Sequence, residues 1–356
     1  MLVARIIGIL DPGGAQLSAF RLSRALARHG VETRLLAGDA SPAGHAQARE
    51  HGFDVEAVGG MDGLQWTPSP AFAEWLAPRI AGADLVHAHM FGAWWAAAQV
   101  IADDVPLVAS EHNTLSWPGR PHAAAMRRTL PRVDRFFAHG PAALAYVRAL
   151  GMDQRRLVAG TSSIAGTRVR PLPGLPVPRI VQASRLAPDK GPDVLVDALA
   201  LLGDAPPAYI VGDGRMRPEL EERVRALGIA DRVTFPGWQH TPGRWVTGAS
   251  VYVVPSREEA FSQSAVLAMA LGVPVVGTTV EALPEVLGDG RGILVAPEDP
   301  EALAQAIAGV LAGRLRPDLD AARRYAARFQ PARVARAYLR HYQAVLAERR
   351  NSAFSE

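Results

Sequence analysis

Cysteine is absent from the 356-residue chain and lysine nearly so: of 38 basic residues, 37 are arginine and one is lysine, Lys190. The missing thiols exclude disulfides, a thiolate nucleophile and zinc-thiolate sites, and they leave the redox compartment open. Aromatic residues make up only 6% of the chain. No apolar stretch reaches the roughly 18 residues that a membrane-spanning helix needs. Met1 to Leu10 lacks the basic start, apolar middle and cleavage site of a secretory signal, so a cytoplasmic protein is expected. A net charge of +3 is small for this length and argues against bulk nucleic-acid binding, which needs a clustered basic face. No His-Glu-x-x-His motif and no histidine pair at helical ligand spacing occurs, so no metal site is expected.

What is present starts with the exception. A composition that otherwise uses arginine throughout, most simply through GC-rich coding, makes Lys190 informative, because a compact ammonium with three donors does what a guanidinium fork cannot. Arg179 to Ala183 reads as a short buried strand, Ser184 to Lys190 as the loop after it, and Gly191 to Leu202 as a helix. Arg185 and Lys190 therefore stand between a strand end and a helix start, a placement that suits an anion and a phosphate above all. A solvated surface lysine is the plain alternative.

Alternating strand and helix patterns give the organisation. Strands are expected at Ala4 to Leu10, Val31 to Leu36, Asp84 to Ala88, Pro106 to Ser110 and Arg135 to Ala138, with helices at Ala15 to Arg28 and Pro141 to Leu150. The pattern fades between Gly160 and Pro178 and begins afresh. Strands are then expected at Arg179 to Ala183, Ala208 to Val211, Arg232 to Phe235, Val251 to Val254 and Val273 to Val276. Helices at Pro192 to Leu202, Met216 to Leu227, Ser262 to Leu271 and Pro300 to Leu311 separate them. Such alternation predicts an α/β protein of two doubly wound, Rossmann-like domains, 1–165 and 166–330, with the site between the carboxyl edges of their sheets. The helical stretch 331–349, with Val334, Tyr338, Tyr342 and Val345 near one face, is expected to fold back on the first domain.

Several motifs in order along the chain carry a resemblance. These are Asp11-Pro12-Gly13-Gly14-Ala15-Gln16, Asp84-Leu85-Val86-His87-Ala88-His89, Ser110-Glu111-His112-Asn113, Ser184-Arg185-Leu186 with Lys190-Gly191, Val211-Gly212-Asp213-Gly214, and Arg232 to Gly237. Pro255-Ser256-Arg257-Glu258-Glu259-Ala260-Phe261, leading to Ala268-Met269-Ala270 and Pro274-Val275-Val276, completes the series. Over essentially its full length the chain resembles the GT-B glycosyltransferases, within them the retaining family 4 group. The resemblance implies a sugar-nucleotide donor bound by the second domain and an acceptor bound by the first.

Residue by residue, it implies that Arg185 and Lys190 neutralise the donor diphosphate and steady the leaving group, and that Glu259 contacts a hydroxyl of the donor sugar. Glu258 is a rival in the same loop, and an N-cap carboxylate is the structural alternative for Glu259. Gly13 and Gly14 let backbone amides approach a ligand, although a Gly-Gly pair is more often simply a turn. Gly212, Phe261, Ser262 and Gln263 complete the donor pocket, and Val233 to Trp238 is where base recognition is expected. His112 is implied as a contact to the reacting sugar. The pattern breaks at Leu267, eight residues after Glu259, where the family usually places a second glutamate on the ribose; leucine cannot accept a hydrogen bond. Ala260 replaces a family glycine and is expected to narrow the freedom of its loop.

His87 and His89, flanking Ala88, are assigned to opposite faces of their strand, one structural and His89 the better functional candidate. Asp318-Leu319-Asp320 spells a metal-binding pair but is read as surface. Trp66, Trp75, Trp94, Trp95 and Trp117, of seven tryptophans, fall in the first domain. Trp66 and Trp117 are candidate acceptor contacts, and Trp75 with Trp94 or Trp95 is read as core.

The expected activity is metal-independent, cofactor-free transfer of a sugar from a nucleoside diphosphate to a small-molecule or glycan acceptor. Antibiotic tailoring or envelope glycan assembly in a high-GC bacterium are the implied contexts, with no nucleic acid and with room for peripheral membrane contact. A sugar-nucleotide 2-epimerase of the same fold and a degenerate, non-catalytic binding subunit are the alternatives.

Overall fold

The computed structural model describes residues 1–60, 63–64, 66–112 and 122–353, with side chains described to residue 351. The chain divides into two compact units, Met1–Ser163 joined by the segment from Pro331 onward, and Ile164–Gln330.

The first unit runs β1 (Leu2–Leu10), α1 (Gly14–Ala27), β2 (Glu32–Ala40), α2 (Pro42–Glu50), β3 (Val55–Ala57), α3 (Pro70–Ile80), β4 (Leu85–His89) and α4 (Phe91–Val100). It continues with β5 (Leu107–Glu111), α5 (Ala123–Thr129), β6 (Arg135–Ala138), α6 (Pro141–Ala149) and β7 (Leu157–Ala159). The strands pair in parallel in the order β3-β2-β1-β4-β5-β6-β7. Strands covered on both faces by crossover helices read as near-continuous apolar runs, and β1, Leu-Val-Ala-Arg-Ile-Ile-Gly-Ile-Leu, does so with a single interruption at Arg5.

The second unit holds β8 (Ile180–Ala183), α7 (Pro192–Leu201), β9 (Ala208–Val211), α8 (Arg217–Ala226), β10 (Val233–Thr234), α9 (Gly243–Val246) and β11 (Val251–Val254). Then come α10 (Gln263–Ala270), β12 (Val275–Thr278), α11 (Leu283–Leu287), β13 (Ile293–Val295), α12 (Pro300–Leu311) and α13 (Leu319–Ala326). Its parallel sheet is ordered β10-β9-β8-β11-β12-β13. In both sheets the order reverses direction beside the first strand, the arrangement that puts ligands at the carboxyl ends of the central strands. Caps follow local chemistry. Asp299 accepts the Ala302 amide at 2.8 Å with Pro300 at the first helical position, and Asp318 accepts those of Asp320 and Ala321. Asp318 is thus the exposed cap of α13, as its reading as surface requires.

The helix α14 (Pro331–Ala353) returns to the first unit. Val334, Tyr338, Tyr342 and Val345 are fully covered in a cluster with Leu22, Leu26 and Phe137. Each such side chain contributes on the order of 2 kcal/mol by leaving water, which is why the segment docks there.

The strongly periodic elements lie where the sequence puts them. Unforeseen are α2 to α5, α9, α11 and α13, and the edge strands β3, β7 and β13. The edge strands are three residues each, too short to show a period, while α4 is apolar nearly all round and so has no amphipathic stripe to read. No helix among the described residues is long and apolar enough to cross a membrane.

Candidate functional site

In the second unit the loop after β8 and the loop after β11 meet. Gly191 makes this meeting possible: its φ is +56°, and a Cβ there would stand 2.1 Å from the Pro255 carbonyl oxygen. Across the junction Lys190 Nζ lies 3.1 Å from Glu259 Oε2 and donates to the Glu258 carbonyl at 3.1 Å. Asp189 Oδ2 draws two cations together, Arg185 Nη2 at 3.0 Å and Lys190 Nζ at 3.5 Å. Burial alone would pull the Lys190 pKa down; the Glu259 and Asp189 carboxylates outweigh it and raise it, so the ammonium stays charged.

Glu259 is the hinge of the site. Its Oε2 also accepts from Ser256 Oγ at 3.1 Å, and its Oε1 accepts the Ser262 amide at 3.1 Å, at the N-cap of α10. Ser262, not Glu259, is the N-cap residue, and Glu259 supports that helix start only by accepting the cap's amide. Glu258 is exposed and offers its carbonyl to Lys190. The left-handed residue of this loop is Ser262, φ +60°, not Ala260, so the constraint expected at Ala260 falls two residues later. The Ser262 hydroxyl is buried without a hydrogen-bond partner among the described residues. Leu267 is 5% exposed on the covered side of α10, and Gln263 is that helix's first residue.

Three contributors were not anticipated. Asp189 is the bridge just described. Arg257 grips Asp193 with both carboxylate oxygens, at 2.8 and 2.7 Å, donates to the Pro188 carbonyl at 2.8 Å and pairs with Glu298, tying the Glu259 loop to the first turn of α7. Glu281, at φ +42°, accepts the Glu259 amide at 2.6 Å; burial first, then the Glu258 and Glu259 carboxylates, raise its pKa. A basic residue beside two glutamates was the available signal for Arg257. Glu281 had none, because its contact spans 22 residues.

The remaining expected positions divide. Gly212 needs to be glycine: at φ +134° a Cβ would sit 1.8 Å from the Ser184 carbonyl oxygen, where β8 and β9 end together. Val233 turns its side chain into the core, and in the stretch expected to read a base Thr234 and Trp238, the latter 36% exposed, face solvent. Phe261 packs on Phe329 with ring centroids 4.8 Å apart. In the first unit Gly13 is the extended N-cap of α1 and Gly14 its first residue. Trp94 is buried and Trp75 stacks on Phe72, both as core readings require; Trp66 is half-buried. Asn113 and Trp117 lie outside the described residues.

The first unit's histidines correct the strand reading. Residues i and i+2 of a strand share a face, and His87 and His89 stack with centroids 4.3 Å apart on the same side of β4. Both are buried, and His89 Nδ1 meets His112 Nε2 at 3.0 Å, so His89 stands behind His112. Burial first, then the charge of Arg5, pushes the His112 pKa down to about 4. No group of three or more His, Asp or Glu among the described residues is arranged to hold a metal.

Comparison with known proteins bears on the family and the fold. A family model described as "Glycosyltransferase Family 4" matches residues 12–159 and one described as "Glycosyl transferases group 1" matches residues 177–313. A D-inositol 3-phosphate glycosyltransferase of Streptomyces griseus is 31% identical, the match covering 84% of this chain and 77% of the relative. One of Xylanimonas cellulosilytica is 32% identical over 86% and 85%. Among solved structures, Anabaena HepE in complex with UDP-glucose superposes with a TM-score of 0.80 at 21% identity, over 97% of this chain and 100% of that one. Sucrose-phosphate synthase of Thermosynechococcus elongatus gives 0.81 at 21%, over 98% and 100%. These likenesses establish the two-domain GT-B fold.

Proposed function

The chain belongs to the family 4, group 1 glycosyltransferases, and from that premise we propose that it moves a sugar from a nucleoside diphosphate to an acceptor hydroxyl with retention and without a metal ion. The observation that carries this reading is the Arg185, Lys190 and Glu259 cluster, two cations gathered by carboxylates at the carboxyl edge of β8. An incoming diphosphate takes the place of Asp189 and Glu259 at the cations. Phosphate oxygens replace the carboxylate oxygens at Lys190, so the largely buried ammonium is not left unpaired during the exchange.

Glu259, released from Lys190, accepts a hydroxyl of the sugar. As the glycosidic bond breaks, negative charge grows on the diphosphate and positive charge on the sugar ring. Lys190, Arg185 and the amides at the start of α10 stabilise the first, which is the work a metal does in sites built from paired carboxylates. The acceptor attacks on the leaving-group face and a diphosphate oxygen takes its proton, through an oxocarbenium-like transition state. His112 donates a hydrogen bond to the sugar. Gly13, Gly14 and Gly212 bring backbone close to the ligand, and Leu267 leaves the ribose without a carboxylate.

Since HepE binds UDP-glucose and the relatives are named for inositol 3-phosphate, those two head the panels of donors and acceptors, ahead of secondary-metabolite and envelope-glycan hydroxyls. The test is nucleoside diphosphate release by the purified cytoplasmic protein in EDTA, with product anomers read by NMR. Acceptor-dependent release with the donor's anomeric configuration kept is expected. Donor converted to its 2-epimer without acceptor would favour an epimerase, and binding without turnover on any pair a binding subunit.

A further inference from the structure

Arg5, in the middle of β1, is fully buried and makes no ion pair among the described residues. A buried charge is tolerated only where hydrogen bonds satisfy it, and the partners here are all neutral. Arg5 Nε donates to Ser23 Oγ at 2.9 Å and Nη2 to the Tyr342 hydroxyl at 3.2 Å. Nη1 faces two imidazoles, His87 Nδ1 at 3.0 Å and His89 Nε2 at 2.8 Å.

A guanidinium offers donors and no acceptor, so both facing nitrogens must be bare. That fixes the protons of both rings. His87 carries its proton on Nε2 and gives it to Ser110 Oγ at 2.8 Å, while its one Nδ1 lone pair is shared between Arg5 Nη1 and the Tyr342 hydroxyl, the latter 2.6 Å away. His89 carries its proton on Nδ1, aimed at His112 Nε2 at 3.0 Å. His112 Nε2 is then an acceptor, and neutral His112 holds its own proton on Nδ1.

We propose that Arg5 is a positioning residue for glycosyl transfer: acting through His87 and His89, it holds His112 as a neutral donor with the proton on Nδ1. The proposal rests on His112 being the sugar contact. Its chemical sense lies in the charge of the transition state. An imidazolium beside a sugar ring gaining positive charge would oppose it, whereas a neutral N–H supplies orientation without that penalty.

The surroundings act in the same direction. Burial, then neighbouring positive charge, lowers the pKa of His87, His89, His112 and His139 alike. His139 packs against His112, ring centroids 3.9 Å apart and planes tilted by 30°, and is held by Ser162 Oγ at 3.2 Å and the Tyr338 hydroxyl at 3.3 Å. Buried Glu111 accepts the His112 backbone amide at 3.0 Å. The guanidinium also fills the space between His87 and His89 that a metal cation would need. An arginine interrupting an otherwise apolar strand was the trace of this in the sequence.

The direct test needs no variant of Arg5 and no substrate. In protein labelled with 15N-histidine, long-range proton–nitrogen correlation should give His112, assigned by its loss in His112→Asn, a pyrrole-type Nδ1 and a pyridine-type Nε2 until the pH approaches about 4. A His112 proton on Nε2, or an imidazolium near neutral pH, overturns the proposal. Arg5→Met should then mix the His112 tautomers, move the acid limb of the kcat/KM profile to higher pH and cost about tenfold to a hundredfold in kcat/KM, the usual loss when a partner orienting a functional histidine is removed. Tyr342→Phe, which keeps the ring and removes one donor, should shift the same signals less and serves if Arg5→Met does not fold. Lower stability with tautomers and pH profile unchanged would make Arg5 merely structural and overturn the proposal. Full activity of His112→Asn beside the assigned tautomers would overturn the sugar contact and with it the role of Arg5 in transfer, though not the tautomers themselves.

Discussion

Each unit contains one cation that stands apart in the sequence, and the two are handled in opposite ways. Lys190 is met by carboxylates at the rim of its unit, its side chain 20% exposed and that of Glu259 12%. Arg5 has no contact with solvent and is met by hydroxyls and bare imidazole nitrogens. Carboxylates near solvent can be exchanged for the oxygens of an arriving anion, because the freed groups regain water. Neutral acceptors in the core cannot be exchanged, because nothing replaces them. The charge of the partner and its access to water thus separate a cation that binds from a cation that organises.

The sharpest test of that contrast is Lys190→Ala, which should cost roughly 2 to 4 kcal/mol of transition-state stabilisation, the scale of one preorganised charge contact. Lys190→Arg should restore only part of it, since a planar fork does not fit a site shaped for an ammonium. Steady-state kcat/KM decides, and unaltered turnover in the alanine variant would remove Lys190 from the binding class.

Acid should reach the other unit first. The four clustered histidines bind protons more weakly in the folded state than in the unfolded one. Their contribution is therefore complete above about pH 6.5, the unfolded value, and is lost as the pH falls toward about 4, the folded value of His112. Between those limits the thermal midpoint should fall by on the order of 5 °C. Hydrogen exchange should accelerate in β1, β4 and β5 ahead of β8 and β11; the reverse order would contradict the assignment of neutral histidines.

A smaller effect concerns Leu267. With no carboxylate left unpaired when a hydroxyl is missing, the preference for a ribose over a matched deoxyribose donor should stay below about a hundredfold in kcat/KM. A larger preference would mean that another group holds the ribose. The smallest effect is Ser262→Gly, which relieves a left-handed φ of +60° and removes a buried unpartnered hydroxyl. It should stabilise the second unit by about 1 kcal/mol, raising its midpoint by about 2 to 4 °C, and an unchanged or lower midpoint would show that the loop is not strained there.

How far the sequence carried depended on the range of the interaction. The doubly wound order, the Lys190 loop and the glycine at Gly212 were legible, because strand runs, a compositional exception and a strand-to-helix turn are all local. The shared face of His87 and His89 was equally legible from the two-residue period of a strand and was misassigned by arithmetic rather than by physics. Glu281 and Arg257 were not foreseen, since what makes them part of the site is a backbone amide or carboxylate 22 or 64 residues away. The role of Arg5 was further out of reach, because it depends on which nitrogens of two other strand residues turn toward it.

One consequence of α14 concerns time rather than geometry. Arg5 and Tyr342 are separated by 337 residues, and the whole second unit is synthesised between them. At ribosomal rates of roughly 5 to 20 residues per second, the first strand waits on the order of tens of seconds for a side chain that completes its hydrogen bonding. The second unit, contiguous in sequence, has all its strands and helices in hand before α14 emerges. The half of the molecule made first is thus the half finished last, and its newborn chain has reason to be shielded until the final helix arrives.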